Sequence, residues 1–505
     1  MRIGLRILYS QGWLGGVNYV LNIARMLNRL PQEERPEIVF LTTAPESAAI
    51  AEANSGLATQ IVPLSEARHL DLDFVYPSTQ LAEAPYGVAW GGWIPDWQCR
   101  HYPELFPDEE RSRRFLQYRA LARRPVVCVF SSQQAIADTV SQFGAPKDNR
   151  YHIFHFPAVF DDADWSRSPE QLGATRRRHG IPDNYFIVCN QFWKHKNHLV
   201  IAEALAERPD LDLHVVMTGE LQDTRWPEYT KDIRALLNRR DVASRITITG
   251  SLAREDQLDL LFGATGIIQP SRFEGWSTFV EEARAIGLPG LLSDIPVHRE
   301  QAPTGMTFFD PDEVHSLTTA LEEFLAAAPA RPSLADACKA SEALIVNRAR
   351  TFLSIARDAR QRYDAERHDT VPILASEILA VHEEGQNGSE IGQGDFDRFL
   401  AGIRLALRDH PEDLARLAGR LCDPDTPFGP LAQNLVILAT LAKAPQPIRD
   451  RFLAYDPAQD GIPTATSDVV KSSQLHAGKP DVQLQTNVAN ILFRVRDYVR
   501  RKLPV

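Results

Sequence analysis

The stretch RFEGWSTFVEEARAIGLPG, residues 272–290, decides how the second part of this chain is interpreted. It follows GIIQP at 266–270, which is apolar and β-rich and predicts a strand. Thr278 followed by Glu281 has the form of a capping box, so we predict that the next helix begins near Thr278. Gly287 suits the C-terminal end of that helix. The stretch is therefore predicted to be a strand, a loop and a short helix.

Two acids eight positions apart, Glu274 and Glu282, flank the start of this helix. Glu274 lies in the loop and Glu282 about one turn into the helix, so both can face one cavity. Backbone N–H groups at a helix start favour an anion, and carboxylates suit polyols because each accepts several hydrogen bonds. A sugar, a diphosphate and a ribose match this layout. The alternative is a solvated loop acid and a helix acid on an exposed face.

Strands and helices alternate along most of the chain. The first series ends near residue 160, the polar stretch PAVFDDADWSRSPEQLG follows, and a second series begins at YFIVCNQ. Such alternation predicts two α/β halves, each with a parallel sheet covered on both faces and a ligand site at the carboxyl ends of its strands. After about residue 370 the strand pattern disappears and amphipathic helices are predicted.

The composition of the whole chain excludes several classes. The 505 residues carry a net charge of -11, which argues against a broad nucleic-acid surface. Five scattered cysteines without CxxC spacing fit a reducing compartment and give no zinc pattern. We find neither a signal-peptide pattern at the start nor an apolar run of about 18 residues. We expect a cytoplasmic protein and leave contact with the inner face of a membrane open.

A longer stretch, QPSRFEGWSTFVEEARAIGLPGLLSDIPVHRE at 269–300, contains a specific motif. Its residues are Pro270, Ser271, Glu274, Gly275, Glu282, Ala283, Ser293, Asp294, Pro296 and Glu300. In these residues the chain resembles the retaining glycosyltransferases of family 4 (group 1 glycosyltransferases), which have the GT-B fold. In that family the first glutamate approaches the donor sugar and the second holds the ribose. The resemblance implies these roles for Glu274 and Glu282.

Two further loops extend the resemblance. SQGWLGGVNYVLNIARML at 10–27 is similar to the glycine loop of the family's first strand, and Gly15 and Gly16 would let the backbone approach the donor phosphates. NQFWKHKNH at 190–198 occupies the place of a phosphate loop that carries an Arg and a Lys in the family. Lys196 matches the lysine, whereas Gln191 stands at the arginine position and Lys194 is a partial replacement.

The stretch WIPDWQCRHYPELF at 93–106 is similar to the acceptor-side loop of the family. The family often has His-Asp in this loop, whereas this chain has Pro95-Asp96. Asp96 is our candidate for contacting the transferred sugar or the acceptor, with His101 in reserve and a helix-capping Asp96 as the alternative. The predicted catalytic residues are Glu274, Lys196 and Asp96. The predicted donor-binding residues are Gly15, Gly16, Gln191, Lys196, Gly275, Trp276, Ser277, Thr278 and Glu282.

The resemblance covers about residues 1–366 and implies an α/β GT-B architecture with two Rossmann-like doubly wound domains facing a cleft, plus an α-helical C-terminal extension. The predicted segments are an N-terminal acceptor-side domain at 1–165, a C-terminal nucleotide-sugar domain at 175–345, a helix returning toward the N-terminal domain at 346–366, a helical extension at 370–455, a linker at 456–485 and a basic amphipathic helix at 486–505.

The implied function is retaining transfer of a hexose from a GDP- or UDP-sugar to a glycan or lipid-linked saccharide acceptor in surface polysaccharide assembly. The implied route is front-face attack, with catalysis by positioning and by charge stabilisation of the departing phosphate. We expect no metal, no other cofactor and no nucleic-acid partner. The alternatives are a nucleotide-sugar epimerase or phosphorylase of the same fold, which the two-glutamate motif disfavours, and a non-catalytic glycan-binding or assembly protein.

The last predicted helix, TNVANILFRVRDYVRRKL at 486–503, has an apolar stripe at helical spacing. Its charged residues, Arg494, Arg496, Asp497, Arg500, Arg501 and Lys502, give a net +4. A basic amphipathic helix can lie on an anionic bilayer. The alternative is that the stripe docks on the protein's own body or on a second subunit.

Overall fold

The computed structural model describes residues 1–9, 14–79, 88–123, 126–146, 148–223 and 225–365. Residues Met1–Ala365 form one compact unit with two parallel sheets and helices around them, which confirms the predicted α/β fold class. The segments predicted at 370–455, 456–485 and 486–505 lie outside the described residues.

The first half contains a seven-stranded sheet in the order β3-β2-β1-β4-β5-β6-β7, with all neighbours parallel. Its strands are β1 (Arg2–Arg6), β2 (Glu37–Thr42), β3 (Gln60–Pro63), β4 (Phe74–Ser78), β5 (Trp90–Ile94), β6 (Val127–Phe130) and β7 (Tyr151–Ile153). The α-helices are α1 (Leu14–Asn28), α2 (Pro45–Ala53), α3 (Gln98–His101), α4 (Asp108–Arg123) and α5 (Gln133–Phe143), and short 3-10 helices span Ser55–Leu57, Leu64–His69 and Pro103–Leu105.

Two short helices, α6 (Asp162–Trp165) and α7 (Pro169–Arg178), lead into the second half. Its six-stranded parallel sheet has the order β10-β9-β8-β11-β12-β13. The strands are β8 (Phe186–Cys189), β9 (Val215–Thr218), β10 (Ile246–Gly250), β11 (Gly266–Gln269), β12 (Gly290–Ser293) and β13 (Met306–Phe309). The helices are a 3-10 turn at Lys194–Lys196, α8 (His198–Glu207), α9 (Pro227–Leu237), α10 (Arg240–Ala243), α11 (Arg254–Gly263), α12 (Thr278–Ala285), α13 (Pro296–Gln301), α14 (Val314–Ala327) and α15 (Leu334–Ala365).

The strands missed by the sequence analysis are β3, β7 and β13, each at an edge of its sheet. The central strands β4, β5 and β11 are buried along their whole length and are rich in apolar and small residues, although β11 ends in the polar Gln269. The edge strands are largely exposed or half-buried, and β7 has no fully buried residue. Strand β7 in particular therefore lacks the run of buried apolar residues that makes an inner strand recognisable.

Helix α15 begins against the second half and ends in the first. Its Phe352 is fully buried and packs against the rings of Phe74, Tyr76 and Phe154, at centroid distances of 6.3, 5.4 and 5.3 Å. The domain boundary that we placed between 345 and 346 therefore falls inside one continuous helix, because the apolar face that enters the first half belongs to the helix that leaves the second.

The strand order places two loops side by side in the second half. The order of its strands reverses between β8 and β11, since β9 and β10 extend to one side and β12 and β13 to the other. Ligands of doubly wound sheets bind at such a switch point, outside the carboxyl ends of the strands. The loops after β8 and β11 are the ones that carry Lys196 and Glu274.

Candidate active site

Lys196 and Glu274 meet at the switch point of the second sheet. The Lys196 ammonium lies 2.7 Å from Oε1 and 2.8 Å from Oε2 of the Glu274 carboxylate. Both side chains are largely buried, with 15% and 8% of their surfaces exposed. A buried ion pair with this bidentate geometry keeps each charge compensated. The structure thus brings together two of the three predicted catalytic residues.

Gln269, the last residue of β11, holds the carboxylate from the other side. Its Nε2 donates to Glu274 Oε1 at 2.8 Å, and its Oε1 accepts from Asn190 Nδ2 at 2.6 Å. Burial alone raises the pKa of Glu274, but the positive charge of Lys196 and the hydrogen bonds from Lys196 and Ser271 outweigh it and hold the pKa below its ordinary value. Glu274 is therefore an ionised, oriented carboxylate.

The helix after this loop begins as predicted, at Thr278, but its cap differs. Ser277 is the N-cap residue, and its Oγ accepts from the Val280 N–H at 3.3 Å. The capping box of Thr278 and Glu281 is wrong, because the Glu281 carboxylate accepts from Gln301 Nε2 at 2.8 Å instead. The C-terminal end of the same helix agrees with the prediction, because Gly287 lies just after it with a φ of 62°.

The N–H groups at the start of α12 are only partly available to an anion. The Ser277 N–H donates to the side chain of Gln301 at 3.2 Å. The N–H groups of Thr278 and Phe279 lie in the first turn, where a helix offers no acceptor of its own. At the start of this helix the N–H groups of Thr278 and Phe279 therefore remain candidates for binding an anion, whereas the Ser277 N–H is already occupied.

Glu282 is buried in the first turns of the same helix and pairs with an arginine that the sequence analysis missed. Arg254 Nη2 lies 2.6 Å from Glu282 Oε1, with 50% of the Arg254 side chain exposed and 6% of the Glu282 side chain. Arg254 is the first residue of α11, after the edge strand β10. The site therefore has a second cation, at the Glu282 end, that no motif indicated.

The loop after β5 carries Asp96 to the Glu274 loop. The backbones touch at Gly275, where an added Cβ would lie 2.6 Å from the Pro95 carbonyl oxygen and 2.9 Å from Asp96 Cβ. Asp96 Oδ1 accepts from the Gln98 N–H at 2.9 Å, so Asp96 also has the capping contact that we had weighed as its alternative. Burial raises the pKa of Asp96, and the negative charge of Glu274 adds to this rise. A glycine at 275 is needed because any side chain would separate the two loops.

His101, the reserve candidate, lies at the same edge. Its Nε2 is 2.8 Å from Asp138 Oδ2, and its ring centroid is 5.2 Å from that of Phe273, the residue before Glu274. Its imidazole is therefore held by the Asp138 carboxylate of the first half and packs against the Phe273 ring, in the loop after β11 of the second half.

Other predicted donor-binding residues have structural contacts of their own. Gln191 Oε1 accepts from the Glu220 N–H at 3.2 Å. The Lys194 ammonium lies 3.6 Å from the centroid of the Trp226 ring, so its charge is engaged there rather than with Glu274. Gly15 and Gly16 belong to the first turn of α1 and not to a loop, and the residues before them, 10–13, are outside the described part of the chain.

The side chain of Trp276 points away from the predicted donor site, although its backbone lies in the loop between β11 and α12. Its indole Nε1 donates to the Phe156 carbonyl oxygen at 3.2 Å, and the ring stacks on His155 at 4.2 Å with an interplanar angle of 4°. The indole is thus buried in the core of the first half, and only the backbone of Trp276 remains at the predicted donor site.

In the part of the chain that the structure describes, no three or more His, Cys, Asp and Glu side chains are grouped so that they could hold a metal ion. Metal independence itself stays a prediction. None of the helices described here is long and apolar enough to cross a bilayer.

Comparison with known proteins supports the group 1 part of the resemblance. Residues 174–340 match the family model "Glycosyl transferases group 1". A curated relative, the O-antigen chain mannosyltransferase RfbU of Salmonella typhimurium (strain LT2), is 24% identical over 141 residues, which are 28% of this chain. The match spans only 38% of that relative's length.

Solved structures show the same fold over most of the described region. HepE of Anabaena, in complex with UDP and glucose, has a TM-score of 0.53 and 16% identity, covering 72% of this chain and 100% of that one. Sucrose-phosphate synthase of Thermosynechococcus elongatus has a TM-score of 0.53 and 13% identity over the same shares. These likenesses establish the two-domain GT-B fold. Membership of family 4 and the retaining mechanism stay predictions.

Proposed function

We propose that this chain is a retaining glycosyltransferase of family 4 that moves a sugar from a GDP- or UDP-sugar to a glycan or lipid-linked saccharide acceptor. The observation that carries the proposal is the buried Lys196–Glu274 pair at the switch point of the second sheet, with the Asp96 loop of the first sheet in contact with it. The group 1 match over residues 174–340 supports it.

The donor would lie along the start of α12. Its diphosphate suits Lys196 together with the N–H groups of Thr278 and Phe279, since a helix start and an ammonium both favour negative charge. Its ribose hydroxyls suit the Glu282 carboxylate, and its sugar hydroxyls suit Glu274. Arg254, beside Glu282, adds a guanidinium that can bind a phosphate oxygen or fix the Glu282 rotamer.

The proposed reaction breaks the bond between the sugar's anomeric carbon and the diphosphate, and the diphosphate leaves with the electron pair. The acceptor hydroxyl forms the new bond on the same face, and its proton passes to the departing phosphate oxygen. Lys196 stabilises the growing negative charge of that phosphate. Glu274 and Asp96 hold hydroxyls of the transferred sugar and of the acceptor, so that catalysis rests on orientation.

The setting proposed is surface polysaccharide assembly, because the curated relative is named as an O-antigen chain mannosyltransferase. HepE, whose structure is described in complex with UDP and glucose, supports a nucleotide sugar as the donor. Both nucleotide classes, GDP and UDP, stay in the proposal.

The test is a thermal-shift screen of nucleotide sugars followed by product analysis. A donor at 100 times its Kd stabilises the protein by about 2.7 kcal/mol. The best donor is then incubated with candidate acceptors, with and without EDTA, and products are examined by mass spectrometry and by NMR of the anomeric configuration. Transfer with retention supports the proposal. If the donor binds but is neither transferred nor hydrolysed, the non-catalytic alternative is favoured. A product with inverted anomeric configuration contradicts retention.

A further inference from the structure

Two adjacent residues of the short helix α13 bind different parts of the molecule. Glu300 reaches the first half, where each of its carboxylate oxygens lies 2.9 Å from the Gln133 N–H at the start of α5. Its Oε1 is also 2.6 Å from His155 Nε2. Both side chains of this pair are mostly buried, with 21% of His155 and 15% of Glu300 exposed. Contacts of this kind hold α13 against the first half.

Gln301, the next residue, holds the N-terminal start of helix α12. Its Oε1 accepts from the Ser277 N–H at 3.2 Å, and its Nε2 donates to the Ser277 carbonyl oxygen at 2.8 Å and to Glu281 Oε1 at 2.8 Å. Gln301 is fully buried. A movement of α13 is therefore passed directly to the N-cap residue of α12.

The loop between Glu274 and Ser277 makes its own contact with the first half, at the residue that Glu300 also binds. Trp276 lies between Glu274 and Ser277, and its indole stacks on His155, the residue that Glu300 binds. It is 8% exposed, within the core cluster that also contains Val297 of α13. If the two halves separated, Glu300 and Trp276 would both lose their partners in the first half, and the loop between Glu274 and Ser277 would lose the side-chain anchor that lies between its ends.

We propose that Glu300, His155 and Trp276 are positioning residues that couple contact between the two halves to the placement of Glu274. Packed cores and interfaces switch between discrete arrangements rather than deform smoothly. The loop from Glu274 to Ser277 then keeps the conformation seen here only while Trp276 stacks on His155 and Glu300 accepts from the Gln133 N–H at the start of α5. This inference rests on the proposed function for its consequence in catalysis, but the coupling itself is a property of the fold.

The test uses the full chain with Glu300→Ala, Glu300→Gln and His155→Phe. Glu300→Gln keeps an acceptor for the Gln133 N–H, and His155→Phe keeps a ring on Trp276. Glu34→Gln is the matched control, because Glu34 also joins distant parts of the chain, through Arg350 at 2.7 and 2.8 Å, without a contact to the donor loop. Amide hydrogen exchange of residues 274–282 is measured together with kcat and the donor KM.

We expect Glu300→Ala to speed exchange in residues 274–282 and to lower kcat by about tenfold to a hundredfold, as a displaced reactive group does. The donor KM should stay within about threefold of wild type, because the nucleotide contacts of Glu282 persist. Glu300→Gln should restore part of both effects, and Glu34→Gln should match wild type.

Unchanged exchange in residues 274–282 of a folded Glu300→Ala variant overturns the coupling, whatever the activity. So does an equal rise in exchange over the whole chain that Glu300→Gln does not reduce, since that indicates general destabilisation. If wild type transfers no sugar from any donor, the proposed function fails and the exchange data alone decide the coupling.

Discussion

Lys196 and Glu274, 78 positions apart in the sequence, form a two-point ion pair inside the crevice of the second sheet. Lys196 belongs to the loop after β8 and Glu274 to the loop after β11, so the pair joins the two strands at which the strand order reverses. A phosphate that binds Lys196 must share its ammonium with Glu274. If a donor phosphate binds Lys196 as proposed, its binding and the orientation of the Glu274 carboxylate are linked through one side chain.

Lys196→Ala should lower kcat by about 10²–10³-fold, the usual effect of removing one group that stabilises a departing charge. Donor affinity should fall less if the charge acts mainly on the leaving phosphate. The variant also leaves Glu274 buried without its cation, which costs about 3–5 kcal/mol of folding free energy. Steady-state kinetics and urea unfolding check both effects.

Lys194→Ala is the matched control for this variant, because Lys194 lies in the same 3-10 turn but contacts the Trp226 ring. Its kcat should remain close to wild type. A Lys196→Ala variant with a raised KM and an intact kcat would assign Lys196 to ground-state binding instead.

Glu282→Ala should weaken binding of the nucleotide, including the nucleoside diphosphate without sugar. Loss of a charged hydrogen bond is worth about 1.5–3 kcal/mol, so Kd should rise by about 10- to 150-fold. Calorimetry with GDP and UDP measures this, with Glu228→Ala as a control because Glu228 pairs with Lys231 and both side chains are exposed. Wild-type affinity in Glu282→Ala would show that Glu282 does not hold the ribose.

Asp96→Asn should stabilise the protein at neutral pH. Burial raises the folded-state pKa of Asp96, so the native protein binds this proton more tightly than the unfolded chain does. Stability is therefore lost as pH rises from the ordinary Asp pKa of 3.8 through the raised pKa of the folded protein. Asparagine carries no charge and still accepts from the Gln98 N–H.

We expect Asp96→Asn to have a higher Tm than wild type at pH 7, and a smaller difference toward pH 4. Scanning calorimetry across this range measures it. A Tm shift that is the same at every pH would mean that packing, and not the charge of Asp96, causes the change. Transfer activity should fall in the same variant if Asp96 contacts the sugar or acceptor.

The C-terminal helix predicted at 486–503 lies outside the described residues, and its role remains a prediction. Each basic residue contributes about 1 kcal/mol near an anionic surface. Flotation with anionic liposomes of the full chain and of a truncation after residue 480 tests membrane contact, which is wrong if both float equally poorly. A change of mass in light scattering on truncation would place the helix in a subunit interface.

The parts of the fold that could be predicted from the sequence are those that local patterns determine. Helix α12 begins at Thr278 as expected, because an apolar period and a turn residue lie within a few positions. Glu274 and Glu282 were found in the same way, through one short motif. The edge strand β7 was missed because its side chains are only half-buried.

The contacts that complete the site are not local. Arg254 lies 28 positions from Glu282, and Gln269 holds Glu274 only because a strand end and a loop fold back on each other. Trp276 stands inside the donor motif, yet its indole belongs to the core of the first half. No spacing rule distinguishes such a residue from one that faces the ligand, because the difference depends on where the other sheet lies.

Helix α15 has a consequence for how this chain can be divided. Ile345, Phe352 and Ala356 complete the hydrophobic core of the first half, although they follow the second half in the sequence. A fragment of residues 1–165 would therefore expose the socket that Phe352 fills and would aggregate when expressed alone. Residues 334–365, supplied as a separate peptide, should restore its solubility. The two halves are consecutive in the sequence, yet the core of the first half is completed only after the second half and helix α15 have been synthesised.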